Sequence, residues 1–154
     1  MGVEIERKFL LAGDGWRALG TPVLFRQGYL SLDPDRTVRV RIEGDQGRLT
    51  IKGRSSGATR GEWEYPIPLA DADDLLARLC QQPLIEKYRR RIDFAGNTWE
   101  VDEFLGANRG LVVAEIELAS EDQAFDKPDW IGAEVTDDKR YYNSSLIKLP
   151  FSAW

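Results

Sequence analysis

Three observations predict an α+β, mainly β domain built on an antiparallel sheet. About eight segments alternate apolar with charged residues, short turns join most of them, and only one stretch has convincing helical spacing. The strand–helix–strand rhythm that builds parallel sheets is missing. Alternation alone allows two architectures. One is a flat sheet with helices on its apolar face; the other is an eight-stranded closed barrel, just wide enough for one small ligand, with helices packed outside. The charged positions decide between them. They are almost wholly Glu, Asp, Arg and Lys, where a solvated face would mix in Thr, Ser and Gln. Each unpaired buried charge costs several kcal/mol, so such density inside a barrel is tolerable only if water, metal ions and a highly charged ligand share the space. The barrel is the expected fold.

The length of 154 residues, 42% of them hydrophobic, suits a single domain over residues 1–154 with one core. No apolar run is long enough for a membrane helix, and the first residues lack the basic, apolar and small-residue succession of a signal peptide, so a cytoplasmic protein is expected. The single cysteine, Cys80, has no internal partner and suits a reducing compartment. It reads as a core residue, since no histidine is present to activate it. The absence of histidine also removes imidazole ligands, histidine bases and Ser-His-Asp triads. Carboxylates, lysine, tyrosine and metal-bound water remain, and a metal held by oxygen ligands points to Mg²⁺, Mn²⁺ or Ca²⁺. A net charge of −5 argues against bulk attraction to nucleic acid or anionic membrane. Any anion must meet a local cluster of cations.

Taken in order, Glu4-Ile5-Glu6-Arg7-Lys8-Phe9 is a strand with Glu4, Glu6 and Lys8 on one face and Val3, Ile5 and Phe9 on the other. Trp16 to Leu19 reads as one helical turn packing Trp16 and Leu19 on the core. Residues 23–32 form the second strand, ended by Asp33-Pro34-Asp35. Residues 36–43 and 48–52 form a hairpin with Arg39, Arg41 and Glu43, then Arg48, Thr50 and Lys52, on the charged face. The small-residue loop 53–61 lacks the Gly-Lys-Ser/Thr ending of a phosphate loop and leads into no helix. Glu62 and Glu64 alternate with Trp63 and Tyr65 until Pro66 and Pro68 end the strand. Residues 70–82 are the one convincing helix, with Asp71, Asp73 and Asp74 in its first turn and Leu75, Leu76, Leu79 and Cys80 at helical spacing. Residues 84–94 place Lys87, Arg89, Arg91 and Asp93 together, and residues 98–104 place Glu100 and Asp102 together. Residues 111–119 carry Glu115 and Glu117 opposite Ala114, Ile116 and Leu118. Ser120 to Gln123 looks like a helix cap and first turn, and the remaining tail like short helical pieces folded back on the sheet.

Glu4-x-Glu6-x-Lys8 resembles the signature of the CYTH superfamily, the triphosphate tunnel metalloenzymes. The resemblance continues in order through Arg39 and Arg41, Thr50-Ile51-Lys52, Glu62 and Glu64, Glu86-Lys87-x-Arg89, Asp102-x-Phe104, Glu115-x-Glu117 and Asp138-Lys139-Arg140-Tyr141. The short length, Arg26-Gln27-Gly28-Tyr29-Leu30 and the Val135-Thr136 approach to the final motif are most similar to the small bacterial members, several of which resemble inorganic triphosphatases. The resemblance implies an eight-stranded tunnel holding a linear triphosphate. Lys8, Arg39, Arg41, Lys52, Lys87, Arg89 and Lys139 would contact phosphate, and Glu4, Glu6, Asp102, Glu115 and Glu117 would hold one or two Mg²⁺ or Mn²⁺ ions. Arg91 and Glu100 face the same way by alternation, and Glu62 and Glu64 would either join the acidic set or orient the basic one. A Lys87/Tyr29 pair would assist proton transfer, with Glu117 completing the catalytic set; equally, Lys87 would simply bind phosphate and Tyr29 pack.

The expected activity is therefore metal-dependent hydrolysis of inorganic triphosphate to pyrophosphate and phosphate, with slower turnover of nucleoside triphosphates. A small-molecule triphosphate is the expected partner, without nucleic acid or membrane, and a homodimer is compatible with the sequence. Adenylate cyclase or thiamine triphosphatase of the same superfamily, or a binding module without turnover, are the alternatives. No base- or thiamine-recognition motif supports the first two.

Overall fold

The computed structural model describes residues 2–154. Its strands are β1 (Gly2–Leu11), β2 (Val23–Ser31), β3 (Arg36–Glu43), β4 (Gln46–Gly53), β5 (Thr59–Ile67), β6 (Ile85–Phe94), β7 (Asn97–Phe104), β8 (Val112–Glu117) and β9 (Ile131–Glu134). The two α-helices are α1 (Leu69–Arg78) and α2 (Asn143–Lys148). Every pairing is antiparallel, and the order β5-β4-β3-β2-β6-β7-β8-β1 closes through β1 and β5 into an eight-stranded barrel, with β9 outside the ring. Closure leaves few edges unpaired, the usual remedy for a sheet of this size.

The first strand makes closure possible by dividing one edge between two partners. Along one side Glu6 to Leu10 pair with β8, while on the other Gly2 to Ile5 pair with β5 and Phe9 and Leu11 with β9. Between those two partners the edge carries single bonds to flanking loops, from Glu6 N–H to Ala58 O and from Val135 N–H to Lys8 O.

Three apolar clusters surround or fill the ring. Phe9, Trp99, Val101, Ala114 and Ile116 point outward and are covered by Trp16 and by the segment carrying Leu118, Phe125 and Trp130. Phe125 stacks edge-on against both Phe9 and Trp99. Helix α1 covers β3 and β4, setting Ala72, Leu76 and Cys80 on Val40 and Ile42. The third cluster lies inside the barrel, because Ile85 and Val113 share faces with Lys87 and Glu115 by alternation. Together with Tyr29, Phe104 and Leu111 they meet Tyr141, Leu146 and Ile147 of the C-terminal segment. One end of the barrel is thus filled with side chains, and the charged cavity occupies the rest.

The local differences from the sequence reading have identifiable causes. Leu19 is 40% exposed, because only Trp16 of its 3-10 turn reaches the core. Helix α1 stops at Arg78, leaving Leu79 65% exposed: the chain must turn to bury Cys80 and then leaves helical geometry ahead of Pro83. Strand β5 runs through Pro66, since β1 has left that edge after Glu62 and the missing N–H faces no partner. Residues 120–123 form no helix; Gln123 turns back to accept from the Ala119 N–H as the chain descends to bury Phe125. The tail contains α2 and 3-10 turns as expected, but also β9, too short and glycine-containing to show alternation. No described helix is long and apolar enough to cross a membrane.

Close packing of the segment after α1 depends on Gly28 of β2. A Cβ there would lie 2.7 Å from Leu84 Cδ2 and 2.8 Å from Cys80 Cβ. Gly28→Ala is expected to cost about 1–3 kcal/mol, the usual penalty of overpacking, and to lower the thermal midpoint without loss of the β-sheet circular dichroism signal.

Candidate active site

Alternation along each strand turns its charged face into the barrel, around a cavity of about 270 Å³. Strand β1 contributes Glu4, Glu6 and Lys8; β2 Tyr29; β3 Arg39 and Arg41; β4 Lys52; β6 Lys87, Arg89 and Arg91. Glu62 and Glu64 of β5, Glu100 of β7, and Glu115 and Glu117 of β8 complete the wall. Two residues expected in the site are placed elsewhere. Asp102 is buried behind the lining, and Lys139 is exposed on a 3-10 turn and does not line the cavity.

The cations are the most deeply held part. Lys87 is fully buried, and Lys8, Arg41 and Arg89 nearly so. Asp102 anchors two of them: Arg89 donates Nε to Oδ1 at 2.7 Å and Nη2 to Oδ2 at 2.9 Å, and Lys87 Nζ donates to Oδ2 at 2.7 Å. Burial alone would raise the Asp102 carboxyl, but Arg89 and Lys87 overcome it and hold it at about 2. Burial brings Lys87 down to about 7, with Asp102 opposing and Arg89 and Arg41 reinforcing the shift. Arg41 falls to about 10 through burial and through its neighbours Arg39 and Arg89. The buried Arg39 Nε has no partner among the described residues. Glu43 and Glu100 also pair with Arg41 at 3.3 Å and Arg89 at 3.1 Å, yet burial and the neighbouring arginines still lower Arg41, and cations crowded this closely form a ready receptor for a polyanion.

The carboxylates form a separate group. Glu4 is tied to Lys52 at 2.9 Å, and Glu115 lies 3.6 Å from Lys8. Glu6 and Glu117, direct neighbours across β1 and β8, make no ion pair among the described residues. Burial, Glu115 and Glu4 push Glu6 well above the usual carboxylate range, and partial desolvation, Glu4 and Glu100 raise Glu117, whose side chain is otherwise open to solvent at the end of β8. Burial and Glu4 raise Glu62 to about 7. Among the described residues no three acidic side chains converge tightly enough to enclose an ion as they stand. The donor set nevertheless fits a hard divalent cation: all its atoms are carboxylate oxygens, and its negative charge is uncompensated where Glu6 meets Glu117.

These shifts predict an unusual stability profile. Glu62 binds its proton more tightly folded than unfolded, so stability falls as pH rises from its unfolded value of 4.5 through about 7. Lys87 is shifted the other way. The unfolded chain binds that proton more tightly between about 7 and 10.5, so stability recovers over that range. Without divalent metal the thermal midpoint should therefore pass through a minimum near pH 7, and added Mg²⁺ should fill the dip. A flat metal-free profile from pH 5 to 9 would contradict the arrangement of charges.

Several lining residues were not anticipated. Thr37 and Arg60 follow from alternation with Arg39 and with Glu62, a signal present in the sequence. Arg60 donates to Thr37 Oγ1 at 2.8 Å and to Gly53 O at 2.7 Å, neutral partners that leave its charge free. Thr136, Tyr142 and Asn143 come from the C-terminal segment, where no periodicity marks them.

Comparison with known proteins agrees with this geometry. Residues 2–149 match the CYTH domain family. The chain is 56% identical over 151 residues to an inorganic triphosphatase of Acetivibrio thermocellus, covering 98% of this chain and 97% of that one. It is 38% identical over 152 residues to an inorganic triphosphatase of Nitrosomonas europaea, covering 96% and 99%. A crystal structure of an inorganic triphosphatase superposes with a TM-score of 0.65 at 35% identity, covering 93% of this chain and 96% of that one. CYTH triphosphatases are metal-dependent in general. With the closed antiparallel barrel, its inward charges and a match across nearly its whole length, this chain belongs to the CYTH domain family.

Proposed function

We propose that this protein hydrolyses inorganic triphosphate to pyrophosphate and orthophosphate within the tunnel, using Mg²⁺ or Mn²⁺, with nucleoside triphosphates as slower substrates. The observation that carries the reading is one cavity in which Arg39, Arg41, Lys87 and Arg89 crowd together with the Arg39 Nε unpartnered, while Glu6 and Glu117 face each other without an ion pair among the described residues. The crowded cations and the unpaired Glu6 and Glu117 are the groups left to a ligand. A linear triphosphate with a divalent ion completes both.

Arg39, Arg41, Lys8, Lys52, Lys87 and Arg89 hold the phosphate oxygens, the arginines through paired N–H donors. These groups are fixed before substrate arrives, so little reorganisation is needed as charge develops at the reacting phosphate. Glu6 and Glu117, with Glu4 and Glu115 beside them, would hold the ion. Bound there, it supplies neutralisation of phosphate charge and a water of lowered pKa. Asp102 acts from behind, fixing Arg89 and Lys87. With its pKa near 7, Lys87 holds or releases a proton at Nζ at neutral pH, and Tyr29 lines the same cavity. Lys139, on the surface, has no role in this scheme.

Chelation with EDTA is expected to abolish phosphate release from inorganic triphosphate, and excess Mg²⁺ or Mn²⁺ to restore it. Undiminished hydrolysis after thorough chelation would overturn the metal-dependent reading, and cyclic nucleotide formed from ATP in place of orthophosphate would identify a cyclase.

A further inference from the structure

Gln27, on β2, is completely buried and takes no part in the scheme above. Its amide orientation is set by its partners. Arg41 Nε donates to its Oε1 at 2.8 Å, and its own Nε2 donates to Asn143 Oδ1 at 3.1 Å. The same Asn143 oxygen accepts from Lys87 Nζ at 3.0 Å. Two donors converge on that atom, so it is the carbonyl oxygen of the side chain. Lys87 continues to Asp102, and Asp102 to Arg89, giving one unbroken chain from Arg41 through Gln27, Asn143, Lys87 and Asp102 to Arg89. Three cations from two strands are thereby linked at the base of the cavity through one carboxylate and two neutral amides; Arg41 also reaches Glu43 at 3.3 Å and Arg89 reaches Glu100 at 3.1 Å, whereas Lys87 has Asp102 as its one anionic partner among the described residues.

The chemistry of the two linking residues matters because a carboxylate would make similar contacts. An acid at position 143 would accept from Gln27 and Lys87 just as the amide oxygen does, and in this nearly dry cluster of cations it would stabilise the fold. It would also cancel positive charge that a polyanion needs. Side-chain amides orient the cations while leaving their charge uncompensated.

Resting on the triphosphatase reading, we propose that Asn143, supported by Gln27, is a positioning residue that fixes Lys87 at the cavity base while preserving its charge for phosphate. The residue comes from the first turn of α2, so the C-terminal segment supplies part of the substrate-binding machinery.

Asn143→Asp provides the test, because it keeps size and both accepted hydrogen bonds and adds one negative charge. The parent and variant are compared in thermal melts without metal, in steady-state hydrolysis of inorganic triphosphate with Mg²⁺, and in calorimetric binding of inorganic triphosphate to the metal-free protein. The expected result is a fall of about tenfold or more in kcat/KM and in binding, the scale of one unit charge placed beside a bound polyanion in a protein interior, at an unchanged or higher melting temperature. Asn143→Ala, which removes the acceptor without adding charge, should lower kcat more than it raises KM. Parental kcat/KM and binding in Asn143→Asp would overturn the proposal, as would losses accompanied by a lower melting temperature, which indicate a structural role. Failure of the parent itself to hydrolyse triphosphate would count against the proposed function, while the binding comparison would still decide the role of Asn143.

Discussion

Asp102→Ala should lower the stability of the metal-free protein by about 3–5 kcal/mol, the range found when one partner of a buried ion pair is removed and the other is left without compensation. The magnitude follows from burial. Asp102 is 1% exposed, and both its oxygens are occupied by Arg89 and Lys87, themselves 6% and 0% exposed. Removing the carboxylate leaves Lys87 without an ion pair among the described residues and Arg89 with only Glu100, both beside Arg41. Lys87, already brought down to about 7 with Asp102 present, loses the group that favours its charged form and would become neutral. Denaturant melts in EDTA measure the loss. If Asp102 instead served as an open metal ligand, its removal would relieve repulsion among carboxylates, and the metal-free protein would melt at or above the parental temperature. Triphosphate binding should weaken together with stability, because the pair that Asp102 aligns is also the pair that receives phosphate.

Glu117→Gln should have the opposite signature. Glu117 makes no ion pair among the described residues, and partial desolvation, Glu4 and Glu100 already disfavour its charge. Replacing it with a neutral residue of the same size relieves that repulsion, so the metal-free fold should be unchanged or slightly more stable. Turnover of inorganic triphosphate should nevertheless fall by at least about a hundredfold, the scale of losing a main electrostatic element at the reacting centre. The stabilisation of the parent by added Mg²⁺ should shrink in the variant, since binding to the native state alone raises stability by linkage. Melts with and without Mg²⁺, run beside phosphate-release assays, separate the possibilities. A variant that melts far below the parent without metal, yet turns over at a near-parental rate once folded, would show that Glu117 is structural. Asp102 and Glu117 look alike in the sequence, as acids on alternating strand positions. Their neighbours across the barrel give them opposite expected behaviour.

That contrast marks the boundary between what was legible in the chain and what was not. Period-2 alternation is a local property, so the sequence by itself determined the strands and the faces of Glu4, Glu6 and Lys8, of Arg39 and Arg41, and of Glu115 and Glu117. The density of charge on those faces also pointed inward, because a solvated surface would mix in many more Thr, Ser and Gln residues than the two threonines, Thr37 and Thr50, that the strands β3 and β4 turn to the cavity. Alternation cannot say which carboxylate meets which cation. Asp102 and Arg89 are thirteen positions apart, and their pairing required β6 and β7 to align in one register. Likewise Asn143 shows no periodicity, and only the fold of the C-terminal segment against the barrel brings its oxygen to Lys87. Lys139 sits in a motif that pointed to phosphate, yet it is exposed and lines no part of the cavity once Tyr141, Leu146 and Ile147 are buried at the barrel's filled end. Burial of those apolar side chains dictates the path of the tail, and the charged residues along it go where that path leaves them. The tertiary structure thus decided which charges are compensated and which are left for a ligand, because compensation depends on neighbours distant in sequence and on how much water the packed barrel excludes.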